Sequence, residues 1–127
     1  MKMGDGRLAE LTERVIGCAY TVSNTLGHGC LEKVYENSLA HELRKAGMQV
    51  EQQKEFQVLY EGHLVGEYVA DMIVDGCLLV ELKTAKVLDN AHLAQGPNYL
   101  KVTGLQVCLL TNFGRPHVQV RRIINGF

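Results

Sequence analysis

The chain has almost no excess charge: 13 lysines and arginines stand against 14 acidic residues, a net charge of −1. Strong sequence-independent binding to nucleic acid normally shows as a basic excess, so this balance counts against a DNA-coating protein. An enzyme that offsets phosphate charge with a local cluster and metal ions remains compatible with it. No apolar run approaches the roughly 20 residues that a membrane span needs. The opening stretch, Met1 to Gly6, has no signal-peptide core, so a short flexible lead-in over residues 1–6, a cytoplasmic location and no membrane association are expected. Cysteines 18, 30, 77 and 108 form no Cys-x-x-Cys pair, and His28-x-Cys30 alone is not a zinc pattern. They read as reduced, structural thiols. Internal repeats, low-complexity segments and linkers are also missing, and 127 residues suit a single domain over 1–127.

Apolar spacing is helical from Arg7 to Leu26, where Leu8, Leu11, Val15, Cys18 and Val22 form a stripe that stops at Gly27-His28-Gly29. A second helix is expected from Leu31 to Ala46, closed by Gly47 and with Arg44 and Lys45 suited to the negative end of the helix dipole. The period then changes. Val50–Tyr60, Leu64–Val74 and Leu78–Lys83 read as strands, with turns at Glu61-Gly62 and Asp75-Gly76. Val87–Val102 returns to helical spacing, and strands at Leu105–Thr111 and Val118–Ile124 complete the chain. This order implies a mixed sheet with helices packed against it.

Asp71, Glu81 and Lys83 stand out because they are charged residues inside otherwise apolar strands. Such groups are costly to desolvate unless they pair or bind a metal. Hard oxygen donors suit Mg²⁺ or Mn²⁺, which take one or two carboxylates plus substrate phosphate. Lys83 is placed to orient a water or to neutralise charge developing on phosphate. The plainer reading of the same residues is a cross-strand ion pair on a solvated face.

Hairpin register decides whether the carboxylates meet, because strand side chains alternate between faces. A two-residue loop at Asp75-Gly76 would set Asp71 opposite Val80 and separate them. A three-residue loop, Val74-Asp75-Gly76, pairs Ile73 with Cys77 and Val69 with Glu81. Asp71 and Glu81 then become diagonal neighbours about 7–8 Å apart at the backbone. The metal reading requires this second register or a bulge of equal effect.

Asp71…Glu81-Leu-Lys83 resembles the core of the PD-(D/E)XK nuclease superfamily, and Gly29-Cys-Leu-Glu32-Lys-Val-Tyr35 resembles the signature of its GxxExxY branch. Tyr68-Val-Ala-Asp71, His92-Leu-Ala-Gln95…Asn98-Tyr99-Leu100 and Leu110-Thr-Asn112-Phe113-Gly114 fit in the same order. The resemblance implies a restriction-endonuclease-like α/β fold: a mixed sheet with an αβββαβ core, flanking helices, an extra N-terminal helix and a C-terminal strand. It implies a Mg²⁺ (or Mn²⁺) site at Asp71, Glu81 and the Leu82 carbonyl, with Lys83 as the catalytic lysine. Glu32 would match the extra acidic residue of RecB-like nucleases, contacting metal directly or through water. Gln95 and Tyr99 would match their Gln-x-x-x-Tyr motif, beside the site and touching substrate.

Each has a plainer reading. Glu32 suits a first helical turn, Tyr35 a core position with its hydroxyl satisfied, His92 a solvated helix face, and Asn112 a turn. Gly96-Pro97 departs from the family pattern and should kink the helix or restart it with Pro97 at its first position. Lys33, Lys83, Lys86 and Lys101 are candidates for a basic rim, with Lys86 and His92 added to the substrate-contacting set. Two functions fit: a metal-dependent nuclease cutting DNA, and a non-catalytic module of the same fold that binds nucleic acid or a protein. A third arrangement has a second copy of the chain, as a homodimer, completing the site.

Overall fold

A computed structural model describes residues 5–125. Helix α1 (Asp5–Leu26) and helix α2 (Glu32–Lys45) precede a hairpin of β1 (Val50–Tyr60) and β2 (His63–Val74). Strand β3 (Leu78–Lys83), helix α3 (Asn90–Thr103), β4 (Val107–Asn112) and β5 (Gln119–Ile124) follow. The strands form one sheet in the order β1-β2-β3-β4-β5, antiparallel except for the parallel β3–β4 pair that α3 connects. This is a restriction-endonuclease-like arrangement: an αβββαβ core with α1 added before it and β5 after it. Asp5 and Gly6, expected in the lead-in, already belong to α1; residues 1–4 lie outside the described residues.

Each sheet face has its own apolar layer. Leu8, Leu11, Val15, Ala19 and Val22 of α1 and Tyr35, Leu39 and Leu43 of α2 pack on Met72, Val74, Leu78, Val80 and Leu82. On the other face Leu100 of α3 joins Ala70, Ile73, Leu79 and Cys108. Strand β3 is buried from Leu78 to Leu82, which is why it reads as a continuous apolar run. Tyr35 is fully buried against Phe113, ring centroids 4.8 Å apart; its hydroxyl donates to the Gly27 carbonyl and accepts from the Cys30 amide.

Two expectations need correction. The β2–β3 register pairs Met72 with Val80, Ile73 with Leu79 and Val74 with Leu78. The loop is therefore Asp75–Cys77, one residue later than Val74–Gly76. Asp75 and Gly76 both take positive φ (51° and 68°), and the Cys77 amide bonds the Val74 carbonyl. Asp75 is held there from outside the hairpin: its amide donates to the Gln49 carbonyl and its carboxylate accepts from the Gln49 amide, each at 2.8 Å. The index sum of paired residues stays even, so extending this register sets Asp71 across from Glu81 rather than on a diagonal.

The second correction concerns α3, which does not restart at Gly96-Pro97 but runs through with Pro97 in its interior. Its start is fixed instead by Asp89, whose carboxylate accepts from the His92 amide while the His92 ring accepts from the Asp89 amide. Gly96 is buried where α3 crosses β5, and a Cβ there would collide with the Ile123 side chain. Close packing of that turn holds the helix together despite the amide missing at Pro97.

Candidate metal centre

The side-chain alternation of two adjacent strands slips at one level of the sheet. In β2, Met72 and Val74 pack on the α1/α2 side and Ile73 on the α3 side, yet Ala70 and Tyr68 also lie on the α3 side. In β1, Val50 joins the α1/α2 layer whereas Phe56, six residues on, joins the α3 layer. The slip falls at Gln53 and Asp71, the pair missing from the ladder between Gln52↔Met72 and Lys54↔Ala70. Gln53 takes φ 54°, a left-handed conformation that a residue with a Cβ adopts at a cost. Backbone pairing between β2 and β3 ends one step earlier, at Met72↔Val80.

Side chains replace the lost ladder bonds. The Leu82 amide donates to Asp71 Oδ2 at 2.9 Å, and the Asp71 amide donates to Glu81 Oε1 at 3.3 Å. Each carboxylate thus ties down the other strand. The Tyr68 hydroxyl, turned onto this face by the slip, also donates to Glu81 Oε1. Tyr68 stacks on Tyr99 of α3 at 4.3 Å and lies 6.2 Å from Phe56, so an aromatic row walls the acids on one side.

Glu81 is only 4% exposed. Burial first, then the charge of Asp71, push its pKa up from 4.5 to about 8, against the opposing hydrogen bond from Tyr68. Burial and the hydrogen bond to Glu81 push the Tyr68 phenol well above its ordinary value, so it is a neutral donor. The Tyr99 phenol is raised by burial and then by the charges of Glu81 and Asp71.

Glu32, the first residue of α2, is raised by burial and next by Asp71, while Lys83 lowers it. It belongs to the neighbourhood of the pair, although among the described residues no three His, Cys, Asp or Glu side chains converge as a ready metal cluster. Lys83 is half-buried, two residues past Glu81 on the same face. Lys86 is exposed in the segment after β3. Gln95 is exposed one turn before Tyr99 on α3. His92 is engaged in the helix cap, and the exposed Lys33 pairs with Glu36 at 3.1 Å. Asn112 does more than close a turn: its fully buried amide makes two 2.9 Å bonds to the Ala85 backbone and accepts from the Gly114 amide. That clamp fixes the chain just beyond Lys83.

Three contributors escaped the sequence reading. Tyr68 was hidden because strict alternation puts it on the opposite face. Glu36 is 4% exposed and accepts from Lys33, Gln52 and Gln53; its spacing of four from Glu32 on one helix was the available signal. Gln53 donates to both Glu36 Oε1 (2.8 Å) and Asp71 Oδ1 (3.4 Å), and no local pattern marks it.

These residues fit a divalent cation. Two facing carboxylates, one of them deeply buried, form a site in which neither acid makes an ion pair among the described residues. Mg²⁺ takes one or two carboxylates and completes its shell with water and phosphate, so a third acid is not required. A mixed sheet flanked by helices, with an Asp and a Glu-x-Lys meeting on its adjacent central strands, defines a nuclease-type scaffold. Residues 9–123 match the family model of the PD-(D/E)XK nuclease superfamily, and the chain belongs to that superfamily. Its members generally use divalent metal ions and act on nucleic acid. No curated protein and no solved structure matches the chain. No helix among the described residues is long and apolar enough to cross a membrane.

Proposed function

We propose that the protein is a Mg²⁺- or Mn²⁺-dependent nuclease that hydrolyses phosphodiester bonds of DNA, a RecB-like member of the GxxExxY branch. The observation that carries this reading is the buried Glu81 carboxylate facing Asp71, with Lys83 two residues along the same strand face. Asp71, Glu81 and the Leu82 carbonyl would hold the ion; the Leu82 amide already points at Asp71, and a residue's amide and carbonyl project to the same side of a strand. Glu32 would contribute through water. The bound ion supplies Lewis acidity toward the phosphoryl oxygen and acidifies a water.

Lys83 orients that water and balances charge developing on the phosphate. Tyr99 offers a ring edge and hydroxyl beside the acids, Gln95 a polar contact one turn away, and Lys86 and His92 positive or donor groups at the rim. A homodimer presenting two such centres to the two strands, in the cytoplasm, completes the proposal.

A second reading is favoured by the fact that both carboxylates already serve the sheet as hydrogen-bond acceptors. Under it the chain keeps the acids for its fold and acts as a binding module for nucleic acid or a protein. Calorimetric titration of Mn²⁺ into the wild type and Glu81→Ala separates the two. Binding that vanishes in the variant, followed by Mn²⁺-dependent cleavage of plasmid DNA, supports the nuclease. No binding at millimolar Mn²⁺, with or without DNA, sinks it.

A further inference from the structure

Gln53 has three properties that no sheet contact explains. Its side chain spans two carboxylates, donating one amide hydrogen to Glu36 and the other toward Asp71. Its backbone is left-handed in the middle of a strand without being glycine. And it sits where the ladder skips a pair and both strands exchange faces. Glu36 is immobilised in turn: it is buried, its Oε2 accepts from Gln52 at 2.6 Å and Lys33 at 3.1 Å, and its Oε1 is left for Gln53.

A carboxylate that already accepts from the Leu82 amide through Oδ2 needs a second restraint to fix its rotation about the Cβ–Cγ bond, and the Gln53 amide supplies it at Oδ1. Neutral Gln suits that task. A lysine would neutralise Asp71, and an acid would repel both neighbours. Strain held in a backbone is retained where it serves an arrangement that the surroundings over-determine.

We infer that Gln53 is a positioning residue for the metal centre: anchored by Glu36, it sets the Asp71 carboxylate, and its left-handed backbone marks the slip that brings Tyr68 onto Glu81. This rests on the metal reading above. Ligand-orienting partners of this kind typically change metal affinity about 10–100-fold when removed.

The test compares wild type, Gln53→Gly and Gln53→Ala by Mn²⁺ calorimetry, by thermal unfolding without metal, and by amide hydrogen exchange at Leu82 against Leu109 in the core. Glycine tolerates the positive φ, so Gln53→Gly should retain the melting temperature of the metal-free protein. It should nonetheless bind Mn²⁺ about 10–100-fold more weakly and exchange the Leu82 amide faster while Leu109 is unchanged. The alanine variant should lose the same affinity and also melt lower. Wild-type affinity and wild-type Leu82 exchange in both variants would overturn the inference. If the wild type itself binds no Mn²⁺, the metal reading fails on its own. Selective loosening of Leu82 in the variants would still show Gln53 positioning Asp71, and its absence would refute that too.

Discussion

The Tyr68 hydroxyl donates to the same oxygen of Glu81 that accepts the Asp71 amide, so one carboxylate oxygen gathers two donors from β2. A bond to an ionised acceptor is worth about 1.5–3 kcal/mol and one to a neutral acceptor about 1 kcal/mol. Tyr68→Phe should therefore destabilise the metal-free protein more at pH 9, where Glu81 is charged, than at pH 6. Urea unfolding at the two pH values measures this. An equal loss at both would mean that Tyr68 contributes packing alone.

Glu81 also predicts the slope of stability with pH. Its pKa rises from 4.5 to about 8 on folding, so the folded state holds the extra proton between those values. The stability this residue contributes is full below pH 4.5 and is eroded as pH rises through about 8. Glu81→Gln, which keeps an acceptor for Tyr68, should remove that erosion and stabilise the metal-free protein at pH 9 by something on the order of a few kcal/mol. Parallel curves for wild type and variant from pH 5 to 9 would contradict it.

Metal uptake should carry the same signature. Below pH 8 the ion displaces a proton from Glu81. Titrations of Mn²⁺ in two buffers of different ionisation enthalpy should show release of up to one proton at pH 7, declining by pH 9. A heat independent of buffer would exclude Glu81 as the titrating ligand.

Lys83→Met keeps the aliphatic stem and deletes the charge. If Lys83 acts on the transition state, cleavage falls by about 10²–10³-fold while Mn²⁺ affinity is kept or raised. Loss of metal binding together with activity would instead assign Lys83 to building the site.

Gly114 packs against the segment following Lys83, and a Cβ there would lie 2.6 Å from the Ala85 nitrogen and the Thr84 carbonyl carbon. Both are backbone atoms, and Asn112 already holds Ala85 by its amide and its carbonyl. Gly114→Ala should cost about 1–3 kcal/mol and shift the Lys83 backbone resonances. A variant with unchanged stability and spectrum would show that the clamp yields.

Much of this architecture was legible because it is local. The α1 stripe, the glycines after α1 and α2, and the uninterrupted apolar run of β3 announce their elements within a few residues. What could not be read depends on distant partners. Gln49 fixes the hairpin turn from 26 positions away, moving the register by a pair while leaving the parity that joins Asp71 to Glu81. The continuity of α3 depends on the fit of Gly96 beneath Ile123. Tyr68 reaches the face of the acids because alternation breaks at the level of Gln53 and Asp71, which no local pattern announces. The acids were found by their chemistry; their supports belong to the tertiary structure.

Because Asp71 and Glu81 replace ladder bonds between β2 and β3, this sheet is partly stitched with the acids proposed for catalysis. Selection for folding alone would then preserve both positions. A descendant that lost hydrolysis would keep its acidic pair for as long as it kept its sheet. Lys83, whose ammonium secures no strand, would be free to drift first. The lysine is thus the more informative mark of a working enzyme among sequences of this kind.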